Sequence, residues 1–171
     1  SYYGNFNNSV CYSYEGGIFV PKEVAIGANK IECSGKWSGD FLNYLTTSRM
    51  DAIRRVLYGG SRLEDTADKT VLAGSYIPRD AHAWGKAYDP LRDDYDITKY
   101  TPLSKPALYT RHLFAVTTQA EAKGTVPVLR VLNDSQLQIW NWVSIEGPAG
   151  QDKCWGGVDC AQPASKYAIM G

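Results

Sequence analysis

Cysteine is the residue type here best placed for covalent chemistry, and the chain has Cys11, Cys33, Cys154 and Cys160. They fall into two local pairs near opposite ends of a 171-residue chain. Four cysteines allow three bridge connectivities. The local one, Cys11 with Cys33 and Cys154 with Cys160, closes the shortest loops. Metal binding is the rival use of such thiolates. No Cys-x-x-Cys spacing is present, and His82 and His112 are the only histidines that could complete a ligand set. Bridges are therefore the expectation, and bridges imply an oxidising compartment. A chain with all four thiols free would fit the cytosol instead.

The acidic run Asp89-Pro-Leu-Arg-Asp93-Asp94-Tyr-Asp96 is the next candidate. Four carboxylates in one loop offer a hard cation such as calcium several oxygen ligands. The spacing is not that of an EF-hand, and the glycine that turns such a loop is missing. A solvated turn is the plainer reading. For nucleophilic catalysis the chain lacks Gly-x-Ser-x-Gly, and neither His82 nor His112 sits in a catalytic motif. The Gly-Gly pairs at 16–17, 59–60 and 156–157 lack the frame of a phosphate loop. A hydrolase acting on polysaccharide would need two carboxylates flanking one bond. Asp80, Glu121 and Glu146 could be drawn on, but no spacing singles them out. The chain therefore reads as non-enzymatic. Asn7-Asn8-Ser9 and Asn133-Asp134-Ser135 match the N-glycosylation pattern, which matters only in a glycosylating host.

These residues need elements to position them. Residues 1 to 37 are rich in Tyr, Asn, Gly and Ser and read as loop with a short strand, best at Gly17 to Pro21. A bridge would supply the constraint that this segment's small apolar content does not. An amphipathic helix is predicted over Phe41 to Tyr58. Ser38 or Asp40 caps it, and Phe41, Leu42, Leu45, Ile53, Val56 and Leu57 recur along one face, with a weaker turn near Ser48 to Met50. Arg49, Arg54 and Arg55 lie outward, and Gly59-Gly60 stops the helix. Thr70 to Ile77 has strand character, and Asp80 to Lys86 reads as a short helical turn. Arg111 to Thr118 and Val126 to Leu132 are expected to pair as a hairpin. A second helix, about Ser135 to Ile145, carries Leu137, Ile139, Trp140, Trp142 and Val143 around most of its cylinder and ends at Gly147-Pro148. Such a helix is buried or meets a partner. The tail Tyr-Ala-Ile-Met-Gly reads as an edge strand, or as half of a structure completed elsewhere. The fold class is α+β: antiparallel strands, one long amphipathic helix, a second aromatic-rich helix and disulfide-stapled loops, taken as a single domain over residues 1–171.

Bulk properties exclude several classes. Basic and acidic side chains balance at 18 each, with no basic stripe, so nucleic acid is not an expected partner. No apolar run approaches the roughly 20 residues of a membrane span. Residues 1 to 10 are polar and aromatic, unlike a signal peptide, so the signal of an exported form would be cleaved or lie elsewhere. The 12 Tyr and 5 Trp suit half-wet surfaces and interfaces as well as a core.

Several phrases, in order, resemble one family. They are Tyr-Tyr-Gly-Asn-Phe at 2–6, Cys-Tyr-Ser-Tyr at 11–14 and Cys-Ser-Gly-Lys-Trp-Ser-Gly-Asp-Phe-Leu-Asn-Tyr-Leu-Thr at 33–46. Ser-Arg-Met-Asp-Ala-Ile-Arg-Arg-Val-Leu-Tyr-Gly-Gly at 48–60, Tyr-Ile-Pro-Arg-Asp-Ala-His-Ala-Trp-Gly-Lys at 76–86 and Ile-Trp-Asn-Trp-Val-Ser-Ile-Glu at 139–146 follow. Together they resemble a segment of the PilY-type adhesins of type IV pili. The most specific phrase, Trp-Ser-Gly-x-Phe-Leu-Asn, is architectural rather than catalytic.

The resemblance implies a secreted, surface-located protein acting in attachment, pilus assembly and twitching motility. Its partners would be pilins or minor pilins, other copies of itself, or a host or surface ligand. Family members combine a region that often has a von Willebrand A-like fold with a calcium-binding propeller. This chain has no Asp-x-Ser-x-Ser motif and no propeller repeat, so those sites map onto no residue here. What carries over is a framework: Cys11 and Cys33, Trp37 to Gly60 with Phe41, Leu42, Leu45 and Gly59, and the region of Trp140 and Trp142. The expected function is a non-enzymatic extracellular domain of a pilus-associated adhesin, part of a larger surface protein. A filament subunit polymerising by strand or helix packing is the alternative, and a polysaccharide hydrolase the remote one.

Overall fold

The computed structural model describes residues 6–47, 61–73, 84–117, 128–143 and 167–170. Strands β1 (Val10–Glu15) and β2 (Ile18–Val24) form an antiparallel hairpin. Gly16 and Gly17 link them at φ 57° and 84°, the left-handed pair that a two-residue hairpin turn needs. Pro21 lies in β2, the outer strand, where a missing N–H is tolerated, and the register shifts beside it. On the other side β1 pairs with β3 (Trp37–Ser38).

Helix α1 (Gly39–Thr46) follows β3 directly. Ser38 is extended and its Oγ accepts the Phe41 N–H at 3.4 Å, so Ser38 is the cap and Asp40 the first-turn acid. Phe41, Leu42 and Leu45 are buried, as their spacing predicts. The helix is shorter than predicted. Thr47 is extended (φ −90°, ψ 123°), so a continuous helix from Phe41 to Tyr58 is not formed. Two β-branched residues in succession weaken the last turn, and Thr46 Oγ1 donates back to the Leu42 carbonyl at 2.8 Å. Residues 48–60, including Arg49, Arg54, Arg55, Gly59 and Gly60, lie outside the described residues.

Strands β4 (Ser61–Asp65) and β5 (Thr70–Ala73) make a separate antiparallel hairpin. The larger sheet runs in the order β6 (Trp84–Tyr88), β7 (Arg111–Thr117), β8 (Val128–Ser135), β9 (Tyr167–Met170), all antiparallel. The predicted pairing of β7 with β8 is present. Trp84 to Lys86 belong to a strand, not to a helical turn, and the tail is an edge strand of its own sheet. The second helix, α2, is described over Ile139–Val143. It starts later than predicted because Ser135 remains in β8 and its Oγ accepts the Leu137 N–H.

Both faces of the larger sheet are covered. Phe114, Val116, Leu129 and Val131 meet Tyr12, Trp37, Phe41 and Leu42 from β1, β3 and α1. On the opposite face Leu113 and Ala115 meet Trp142 and Val143 of α2. A Cβ on Gly85 would fall 2.7 Å from the Ile139 side chain, so α2 lies hard against β6. This double coverage explains why β7 and β8 read as nearly continuous apolar runs. Among the described residues no helix is long and apolar enough to cross a membrane.

Candidate functional site

Cys11 and Cys33 form a disulfide and are each 1% exposed. It joins β1 to the loop before β3, where the Cys33 N–H donates to the Lys99 carbonyl. Cys154 and Cys160 lie outside the described residues, as do His82, Asp80, Glu121 and Glu146.

The family-like phrase around Trp37 acts as a clasp on the N-terminal segment. Trp37 is buried at the centre of an aromatic chain running from Phe6 through Phe19 to Phe114. A Cβ at Gly39 would sit 2.0 Å from the Asn7 carbonyl oxygen, so the position accepts only hydrogen there. Asn43 Oδ1 accepts the Phe6 N–H at 2.9 Å, and its Nδ2 donates to the Phe6 carbonyl at 2.8 Å and to Asn8 Oδ1 at 2.6 Å. One side-chain amide thus satisfies both backbone groups of Phe6, much as a neighbouring strand would. Ser38, Gly39 and Asn43 each have a separate physical task within a few residues.

The acidic run is spent locally. Asp93 Oδ2 accepts the Asp89 N–H at 2.7 Å and Asp89 Oδ1 accepts the Leu91 N–H at 3.0 Å, which builds the turn after β6. Asp96 Oδ1 caps the 3-10 turn Ile97–Lys99 through the Thr98 N–H and hydroxyl, and those two bonds hold its carboxyl below the ordinary value. Asp94 is exposed. Among the described residues no three Asp, Glu, His or Cys side chains are grouped to hold a metal ion.

Beside this turn lies a tyrosine cluster, with Tyr88 and Tyr95 centroids 5.0 Å apart and Tyr100 against Tyr95 and Phe41. Burial, aided by the Asp93 charge, pushes the Tyr44, Tyr88 and Tyr95 hydroxyls above their ordinary value. Lys86 Nζ sits 4.2 Å above the Tyr44 ring, and burial lowers its affinity for a proton.

His112 is 1% exposed and its ring is fully engaged. Nε2 is 2.7 Å from the Ser104 carbonyl, and Nδ1 accepts the Asp134 N–H at 3.3 Å, which assigns the proton to Nε2. Asp134 Oδ1 in turn accepts the Ala107 N–H. This histidine ties the loop before β7 to the end of β8.

Arg111, which the sequence did not single out, is the other organising residue at this end of the sheet. Its Nη2 lies 3.4 Å from Asp89 Oδ2 and its Nη1 donates to the Leu137 carbonyl at 3.2 Å. It therefore joins the 89–93 turn, the start of β7 and the approach to α2. Exposed apolar side chains stand on each: Leu91 on the first, Leu108 and Tyr109 just before β7, and Trp140 on α2. Trp142, two residues on from Trp140, is buried, so the aromatic helix is divided between core and solvent. The register that puts Asp89 beside Arg111 is a pairing of distant strands, which no local motif announces.

The geometry defines a disulfide-clasped α+β module whose polar groups are used in holding loops. The chain belongs to the family described as PilY1 homolog, small alpha/beta domain, which it matches over residues 1–137. It is 52% identical over 167 residues, 97% of its length, to a type IV pilus biogenesis factor PilY1 homolog of Xylella fastidiosa. A second PilY1 homolog of that organism is 32% identical over 87 residues, 46% of this chain and 7% of the relative. The chain spans 11% of the length of the first relative. No solved structure matches it.

Proposed function

We propose that this domain serves type IV pilus biogenesis as a non-catalytic contact module at the cell surface. The observation that carries the reading is the identity of 52% over nearly the whole chain to a type IV pilus biogenesis factor PilY1 homolog. The Cys11–Cys33 bridge supports an oxidising, exported location. The engagement of His112 by Ser104 and Asp134 supports a structural rather than a proton-transferring role for that residue. Attachment to a surface and contact with pilin subunits are the finer tasks proposed for it.

The test is genetic. The domain is removed in the bacterium that produces the protein. Surface pili, twitching and attachment are then counted. Loss of pili or of attachment with the protein still exported is the expected result. Unchanged pilus number, motility and attachment would refute the pilus role. Release of reducing sugar from surface polysaccharide by the purified protein would replace this reading with a hydrolase.

A further inference from the structure

Strands β7 and β8 shift register at one place. Their pairing passes from Arg111↔Ser135 to Leu113↔Leu132, so His112 lies opposite a bulge of two residues, Asn133 and Asp134. Asp134 stands at φ +49°, and the His112 ring, not the strand, takes up its N–H: Nδ1 accepts it at 3.3 Å. The other ring nitrogen, Nε2, donates to the Ser104 carbonyl at 2.7 Å. Asp134 Oδ1 accepts the Ala107 N–H at 3.0 Å and lies 3.4 Å from the Thr110 hydroxyl. One imidazole and one carboxylate thus hold both ends of the loop from Ser104 to Thr110 against the bulge. The ring is buried, so solvent does not replace a bond that it loses.

This closed arrangement holds the neutral ring. Nδ1 must be bare to accept, and a proton on it would set two donors, Nδ1–H and the Asp134 N–H, against each other. Imidazole is the side chain that ordinarily changes charge between pH 5 and 8. Among the described residues, the titratable groups around the ring come from every element packed on it. Tyr88, with its centroid 6.5 Å away, and Lys86 stand on β6. Arg111 adjoins it on β7 and is paired with Asp89. Lys105 follows Ser104, and Asp134 belongs to β8. Each of the two carboxylates is already committed, Asp89 to Arg111 and Asp134 to Ala107. A charged ring that recruited Asp134 would take it from Ala107, so the loop is freed by that route also. We propose that His112 is an acid-operated latch: a proton on Nδ1 breaks its bond to Asp134 and releases the Ser104–Thr110 loop, with the exposed Leu108 and Tyr109, from the end of β8. The closed state binds fewer protons than the open one, so it is held at neutral pH and lost as pH falls through the imidazole range. The inference does not depend on the pilus role.

Amide hydrogen exchange of the full-length protein, read by mass spectrometry and divided by the intrinsic rate at each pH, tests it. Between pH 7.5 and pH 5.0 the amides of residues 104–110 and of Asp134 should lose protection at least about tenfold, while β1 changes by less than about threefold. His112→Gln keeps a donor and an acceptor but does not titrate, and it should abolish the pH dependence. Exchange of the ring C2 hydrogen of His112 in the unsubstituted protein reports the charge of the ring, and its profile should coincide with the loss of protection whether or not the variant folds. Unchanged protection of residues 104–110 at pH 5.0 would overturn the proposal. So would an equal loss in β1, which is global unfolding, or a loss that persists in His112→Gln, which assigns the proton to a carboxylate. A ring that becomes charged while the loop stays protected would overturn it too.

Discussion

Gly39→Ala sets two physical effects against each other. Helix propensity alone favours alanine by about 1 kcal/mol. The structure places the new Cβ 2.0 Å from the Asn7 carbonyl oxygen and 2.9 Å from its carbon, both backbone atoms that cannot rotate aside. The segment carrying Asn7 must therefore move off α1. Moving it breaks the Asn43 bonds to the Phe6 N–H, the Phe6 carbonyl and Asn8. At about 1 kcal/mol net for each, the loss is roughly 3 kcal/mol, before any loss of Phe6 packing on Tyr12 and Phe19. Against the propensity gain, a net destabilisation of about 2 kcal/mol remains. In a chain of this size that lowers Tm by roughly 4–8 °C. Calorimetry under non-reducing conditions measures it, and a cycle with Asn43→Ala identifies the cause. If the clash ejects the segment, Asn43→Ala costs little in the Gly39→Ala background. A neutral or stabilising Gly39→Ala, or strict additivity with Asn43→Ala, would refute the reasoning.

Three further outcomes are expected. Cys11→Ser opens a loop with a sequence separation of 22 and should lower stability by about 3 kcal/mol, read by urea denaturation of the purified variant. His112→Ala leaves the Ser104 carbonyl and the Asp134 N–H without their partner; a loss of roughly 2–4 kcal/mol and faster exchange of the Asp134 amide are expected. Alkaline pH should unfold the protein. The Tyr12, Tyr44, Tyr88 and Tyr95 hydroxyls are raised from 10.0, so the unfolded chain loses these protons first and stability falls as pH rises beyond 10. Lys86, lowered from 10.5, works in the opposite sense, because the folded state sheds that proton first and the cost of burying the charge disappears as pH rises towards 10.5. Four groups outweigh one, and Tyr95→Phe should make the loss between pH 10 and 11.5 shallower in pH-dependent denaturation.

What the sequence revealed depended on the range of the interaction. The start of α1 was legible because cap, first-turn acid and apolar spacing all lie between Ser38 and Leu45. The hairpin of β7 with β8 was legible because a sheet covered on both faces leaves apolar runs. The end of α1 was not, since the apolar spacing continues past Thr47 although Thr47 itself is extended. Asp80 to Lys86 reads as a short helical turn, whereas Trp84 to Lys86 pair with β7 and Gly85 takes its place from a distant contact. Its purpose, room for Ile139, comes from a helix over 50 residues away. The exposed group around Arg111 was hidden for the same reason. Ala-Leu-Tyr-Thr between Pro106 and β7 was its one local sign, an apolar pair where a turn would carry glycine or asparagine.

The strand edges bear on how such a domain can associate. In the first sheet, β2 is interrupted by Pro21, and its charges are paired as Lys22 with Glu15 and Glu23 with Lys36. The other edge is occupied: the Ser38 N–H donates to the Tyr100 carbonyl at 2.8 Å. Pro21 removes a donor from the β2 edge, and the Tyr100 bond occupies part of the β3 edge, which hinders another chain's strand at those places. In the larger sheet β9 already pairs with β8 through Leu129↔Met170 to Leu132↔Tyr167, so the tail strand is used within its own molecule. On β6 the half-buried Lys86 lies on the face towards Tyr44, where an added strand would have to desolvate it further. Main-chain addition is thus hindered at Pro21 of β2, at β3 and beside Lys86 of β6, while β9 ends the order of its sheet. At the Leu108–Tyr109 tip, by contrast, exposed apolar side chains and a positive φ at Tyr109 coincide.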